Sequence, residues 1–348
     1  MPRERVVSAQ ARSVEAAAGK ADKPLHATLR PERFDHYVGQ RDLLRKLRIT
    51  VQAADQRGEP VDHTLFHGPP GLGKTTLAHV IANEIGTKAH VTAGPALTKP
   101  ADLVGIVTRL GEGDVLFIDE IHRLSKVVEE YLYVAMEDFE INITLDSGSH
   151  ARVVTMPVKP FTLVGATTRI GLLTAPMRAR FGLVEHLDFY PPADLLVILQ
   201  ANAQKLGVMA EATALEELSH RSRGTPRVAN RLLRRVRDFA SVEGDGDITA
   251  DLCRRALELE GIDAIGLDAL DRSFLRALID VYNGGPAGIE AVAATLGEER
   301  DTLEDVIEPY LLQQGLLART RQGRRVTKKA YDHLGLPMPE SADSGLFA

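Results

Sequence analysis

The run His67-Gly68-Pro69-Pro70-Gly71-Leu72-Gly73-Lys74-Thr75-Thr76 carries the residue types needed to hold a triphosphate. Gly71 and Gly73 let backbone N–H groups approach and surround phosphate oxygens, which the N-terminus of a following helix also favours. Lys74 is placed to neutralise the β and γ phosphates of a nucleoside triphosphate, and the Thr75 hydroxyl to bind Mg²⁺. A second run, Asp114 to Glu120, is apolar and ends in two acids. Asp119 suits the Mg²⁺ shell and Glu120 suits polarising the attacking water, since phosphoryl transfer depends on positioning and charge stabilisation. A third run, Phe161 to Arg169, ends in the hydroxyls of Thr167 and Thr168. Either could orient water against the γ phosphate, and either could instead satisfy backbone groups at the strand end.

Arginines supply the remaining charge. Arg178 and Arg180 are both candidates to reach a neighbouring subunit's γ phosphate as an arginine finger. Arg227 follows Gly224-Thr225-Pro226, where Thr225 reads as an N-cap and Pro226 as the first helical residue. A cation in the first turn opposes the helix dipole, so an anion is expected to compensate it. Arg231, Arg234, Arg235 and Arg237 read as a solvated helix face.

These residues need a particular frame. Thr64-Leu65-Phe66 reads as a buried strand, and Leu77, Val80, Ile81 and Ile85 recur at helical spacing until Gly86 stops them. The phosphate loop thus joins a strand to a helix. Strands are predicted at 63–67, 88–92, 114–118, 161–166 and 184–189, alternating with helices, which implies a mainly parallel sheet covered on both faces. Residues 141–145 and 153–158 flank Asp146-Ser147-Gly148-Ser149-His150 as a projecting hairpin, with Ile141 and Ile143 expected to meet a partner. After Pro191-Pro192 the pattern is helical to about 260. Three helices follow, at 267–281, 288–296 and 302–314. Two apolar runs, 315–320 and 326–330, then flank the basic turn Arg321-Gln322-Gly323-Arg324-Arg325, which suggests a winged helix. The division is an arm at 1–27, a nucleotide domain at 28–190, a helical lid at 191–262, a winged-helix head at 263–336 and a tail at 337–348.

Composition narrows the class. At 348 residues the chain is long enough for two or three domains with substantial cores. One cysteine, Cys253, excludes an internal disulfide and fits a reducing compartment. No apolar run approaches a membrane span and the first residues lack a secretory apolar block, so the expected location is the cytoplasm. A net charge of −6 means that nucleic acid must be met by a local patch. Residues 318–330 supply one, with six basic residues and no acid.

The ordered set resembles AAA+ P-loop ATPases, and among them the RuvB family. It runs from Leu29-Arg30-Pro31 and Tyr37-Val38-Gly39-Gln40 through the phosphate loop, Phe117 to Arg123, Gly165 to Arg169, Arg178 to Gly182 and Gly224 to Arg227, and on into the wing. The resemblance implies an α/β AAA+ core with a lid and a C-terminal winged helix, and a homohexameric ATPase that drives Holliday junction branch migration by pulling duplex DNA. By family pattern, Leu29 and Arg30 border the adenine pocket, and Tyr37, Val38, Tyr190 and Pro226 help to enclose the base. Gly71, Lys74, Thr75 and Thr76 hold phosphates and Mg²⁺. Arg180 is the trans-acting finger, Arg227 the second sensor, and Glu137, Asp138 and Phe139 lie near nucleotide. Thr168 stands where many other AAA+ proteins carry Asn. The 141–158 hairpin is expected to meet a RuvA-type junction-binding protein, a RuvC-type resolvase to share the complex, and Arg319 and Arg324 to contact DNA. Two rivals are a clamp-loader-like ATPase, which has no need of a basic wing, and an ATP-switched winged-helix transcription regulator, which could lose Glu120 and Arg180.

Overall fold

The computed structural model describes residues 29–144 and 153–339. Strands β1 (Thr64–His67), β2 (Ala89–Ala93), β3 (Val115–Asp119), β6 (Thr162–Thr167) and β7 (Leu183–His186) form a parallel sheet ordered β2-β3-β6-β1-β7. Both faces are covered, which is why the central strands read as unbroken apolar runs. Phe66, Phe117, Val164 and Ala166 enter one apolar cluster, while Leu65, Leu116, Ile118 and Leu163 enter the other. The first cluster continues through helix Arg41–Arg57 and the phosphate-loop helix Lys74–Ile85 into the lid helices Pro192–Lys205, Ala212–Arg221, Pro226–Glu243 and Ala250–Leu259. Lid and core therefore share one apolar interior.

Two further strands, β4 (Glu140–Thr144) and β5 (Val153–Pro157), pair as a separate antiparallel ribbon. Ile141 at its base is fully buried in the second cluster, which corrects the expectation that it meets a partner. The cause is local: the ribbon leaves helix Lys126–Glu137 almost at once, and Val158 N–H closes on the Phe139 carbonyl at 2.7 Å, turning the first inward side chain onto the core. The hairpin turn, the Ile143 side chain, the 1–27 arm and residues 340–348 lie outside the described residues.

The head packs its own core around Phe274, Leu278, Val292, Leu311 and Tyr331. Helices Ala269–Asp280 and Ile289–Leu296 precede a continuous helical stretch made of Arg300–Thr302, a π segment Leu303–Ile307, and Glu308–Gln313. Strands β8 (Leu317–Thr320) and β9 (Gly323–Val326) then pair antiparallel. The second wing strand was expected at 326–330, but Lys328–Leu334 is a helix and β9 lies earlier. A short apolar run cannot distinguish the two periods. Backbone bonds exchanged between Arg324 and Ala287, at 2.8 and 2.9 Å, fix the strand where it is. Arg319 and Arg324 consequently stand opposite each other, and the turn shrinks to Arg321-Gln322.

Candidate active site

Register brings the chemistry together. His67 pairs with Thr167 and Ile118 with Gly165, so the carboxyl ends of β1, β3 and β6 open on one edge, where parallel sheets hold ligands. A cleft of about 590 Å³ lies there, between sheet and lid. Leu29, Arg30, Tyr37, Val38, Tyr190 and Pro226, expected to enclose the base, all line it. The Tyr190 hydroxyl lies 3.1 Å from that of Tyr37 and 3.3 Å from the Leu72 carbonyl. Burial holds the Tyr37 phenol well above its ordinary pKa and pushes Tyr190 up to about 12, so this wall is neutral. Gly73, at φ 102°, touches the same wall. A Cβ there would sit 2.6 Å from the Tyr37 hydroxyl, so only glycine lets the loop close on it.

Gly71, Gly73, Lys74, Thr75 and Thr76, expected to hold phosphates, also line the cleft. The buried Lys74 ammonium donates to the carbonyls of Gly68 and Pro69, at 2.8 and 2.9 Å. Burial lowers its pKa, while Asp119, Glu120 and Asp305 act in the opposite direction. Arg227 also lines the cleft, and its N–H donates to the Gly71 carbonyl at 3.3 Å, tying the lid to the loop. Thr225 caps that helix by accepting from Val228 N–H, with Pro226 in the first turn, as the sequence implied.

The residues expected to serve hydrolysis sit at the floor. Asp119 accepts the Glu120 N–H at 3.0 Å, and Glu120 adopts a left-handed φ of 48°. Burial, then the neighbouring Asp119, raises the Glu120 pKa. Glu120 Oε2 lies 3.3 Å from His122 Nδ1, which lies 2.8 Å from the Thr167 hydroxyl. Thr167 also accepts the Arg169 N–H at 3.0 Å, so its hydroxyl is used internally. The Thr168 hydroxyl is buried without a partner and borders the cleft. Of the two, Thr168 is the one left for a ligand. An orphaned buried hydroxyl costs about 1–3 kcal/mol, which a water or phosphate oxygen would relieve. Among the described residues no three His, Cys, Asp or Glu side chains form a metal cage. Thr75 and Asp119 both border the cleft, and Mg²⁺ is commonly held by one or two such oxygens plus substrate phosphates. Chain and Mg·ATP fit.

Four expected nucleotide neighbours, Glu137, Asp138, Phe139 and Arg180, do not line this cleft. Arg180 donates to Glu137 at 3.2 Å and to the Pro176 carbonyl at 3.0 Å, and it lies 4.1 Å over the Tyr133 ring. Phe139 packs edge-on against Phe161. Conversely, Asn202, Lys205, Asn230 and Arg234 line the cleft and were not anticipated; Arg234 was read as solvated. Asn202 was detectable, being the one polar residue on the buried face of Leu195, Leu199 and Ala203. In the wing, Arg319 and Arg324 both bond the fully buried Glu308, Arg319 Nε at 2.9 Å and Arg324 Nε at 2.6 Å. Arg324 also reaches Glu304 at 2.9 Å. Arg319 remains half exposed, whereas Arg324 is largely buried.

Comparison with known proteins agrees with this geometry. Residues 29–187 match the Holliday junction DNA helicase RuvB P-loop domain, 190–263 the RuvB AAA lid domain and 264–335 the RuvB C-terminal winged helix domain. The Holliday junction branch migration complex subunit RuvB of Myxococcus xanthus is 53% identical over 326 residues, covering 94% of this chain and 95% of that protein. Its counterpart from Kosmotoga olearia is 55% identical over 315 residues, with 90% and 92% covered. The solved Thermotoga maritima RuvB Holliday junction branch migration motor superposes with a TM-score of 0.82 at 51% identity, covering 90% of this chain and all of that one. A phosphate cleft, a lid that touches it and a winged head, each matched in order and almost end to end, make this chain a member of the RuvB family of AAA+ ATPases.

Proposed function

We propose that the chain is the ATP-driven motor of Holliday junction branch migration in recombination and repair, working in the cytoplasm as a homohexameric ring that pulls duplex DNA. The split of the site carries this reading. Lys74, Thr75, Asp119, Glu120, Thr168 and Arg227 share one cleft, whereas Arg180 lies outside it beside Glu137. Such a division supports a finger that completes a neighbouring subunit's site, with Glu137, Asp138 and Phe139 on the same interface.

Thr75 and Asp119 would hold Mg²⁺, which would neutralise charge developing on the phosphates. Lys74 exchanges its loop carbonyls for phosphate oxygens, Glu120 accepts the water's proton and Thr168 orients that water. Arg227 draws the lid toward the phosphates. The half-exposed Arg319 meets the DNA backbone, and Arg324 joins it by trading a carboxylate for a phosphate. The exposed part of the 141–158 ribbon receives a RuvA-type protein, and a RuvC-type resolvase joins the assembly.

Mixing of variants tests the shared site. Arg180→Ala loses roughly 10³ to 10⁵ in turnover, the range for arginine fingers. Glu120→Gln is inactive by itself. Mixed together they regain ATPase activity, because some interfaces then pair an intact Glu120 with an intact Arg180. Proven co-assembly with no recovery at any ratio would rule out the arrangement.

A further inference from the structure

Arg169 directly follows the orphaned Thr168, yet its side chain leaves the nucleotide domain altogether. Its Nε donates to Asp305 and its Nη2 to Asp301, both at 2.8 Å, and Glu304 lies 3.8 Å away. All three acids lie on the helical stretch of the head, two of them in its π segment Leu303–Ile307. Single π turns recur at functional sites, because the extra residue re-aims the side chains around it. Here Asp301 and Asp305 face Arg169, while Glu304 and Glu308 face the wing strands through Arg324 and Arg319. Glu304 stands within reach of both arginines. Ion pairs thus run without a gap from the strand end at the hydrolytic floor to the wing.

Arg169 and Glu304 are largely shielded from solvent, and Glu308 wholly so. Asp305 is partly exposed and Asp301 largely so, so the pairs they make with Arg169 contribute little to stability and can act through position instead. Asp305 also lines a pocket with Pro69, Pro70 and Gly71 of the phosphate loop and with Arg227.

We propose that Asp305, together with Asp301, is a positioning residue for ATP hydrolysis. By holding Arg169 across the domain boundary it sets the turn Thr167–Arg169, and with it the Thr168 hydroxyl that aligns the attacking water. A shift of the head on DNA is thereby felt at the hydrolytic floor. The inference rests on the reading of this cleft as the hydrolytic site and of the wing as the DNA contact.

The test uses the full chain and measures kcat, nucleotide dissociation constant and Tm together. The double variant Asp301→Asn, Asp305→Asn should lose roughly 10- to 100-fold in kcat, the cost of misplacing a reacting group by about an ångström, with dissociation constant and Tm close to wild type. Arg169→Asp should behave alike, and adding Asp305→Arg to it should restore much of the lost kcat. Unchanged kcat in the double variant would overturn the proposal. So would kcat, affinity and Tm falling in parallel without recovery in the charge swap, the signature of a purely structural contact. Duplex DNA is added in a separate arm. If it fails to stimulate wild-type turnover the motor reading falls, while the kcat comparison still decides the positioning role.

Discussion

Glu120 is the residue on which the pH dependence of the reaction should turn. Its pKa is raised by burial and then by Asp119, and it must be ionised to accept a proton from water. Activity is therefore present above the raised pKa and lost as pH falls through it. The acid limb of kcat/KM should lie at higher pH than an ordinary glutamate would give. Glu120→Gln should retain nucleotide binding, measured with a fluorescent analogue, and lose turnover at every pH; retained turnover would remove Glu120 from its role. Lys74, Thr75, Asp119 and Glu120 were legible in the sequence because each lies in a contiguous motif whose spacing fixes its place. Thr167 and Thr168 could not be told apart, since both end the same strand and the choice is made by His122, a residue from another strand's end. Asp305 was not legible at all. Its significance comes from a contact across 136 positions of chain.

At the scale of elements, the central strands β1, β3 and β6 were readable because strands buried on both faces are uniformly apolar, the half-exposed β2 and β7 as short runs alternating with helices, and the lid and head helices because their apolar period is sustained. The first wing strand was read within 315–320, but the second was misplaced, being four residues long and next to a helix whose buried Ala330 and Tyr331 continue the apolar pattern. The ribbon was found, but Ile141 at its base was expected on the partner side and faces the core. Alternation states that two faces differ and is silent on which one the core takes. With Ile141 fully buried, Ile141→Asp should cost more than about 4 kcal/mol, since it removes a packed side chain and buries an unpaired charge. Thermal unfolding would show it as a large fall in Tm and a loss of basal ATPase. A variant that unfolds like the wild type would place Ile141 on an exposed face after all.

Across the whole molecule, two kinds of joint connect the domains. Lid and core share one apolar interior, which resists separation because parting them exposes apolar surface. The head has a separate core and is held by ion pairs, chiefly Arg169 to Asp301 and Asp305, and Arg223 to Asp268 and Asp271. Ion pairs can be exchanged for phosphate contacts without opening a core, so the head is the part free to respond to DNA while lid and loop respond to nucleotide. Nothing in the sequence announced this, since both kinds of joint join residues far apart in the chain. The central claim is that hydrolysis at this cleft drives movement of DNA. The most direct measurement is dissociation of a synthetic four-way junction, in the presence of a RuvA-type protein and Mg·ATP, by the wild type and by Glu120→Gln. The wild type should resolve the junction into duplexes in step with ATP hydrolysis, and Glu120→Gln should bind it and leave it intact. A junction that stays whole while the wild type hydrolyses ATP, or that dissociates equally with Glu120→Gln, would contradict the account.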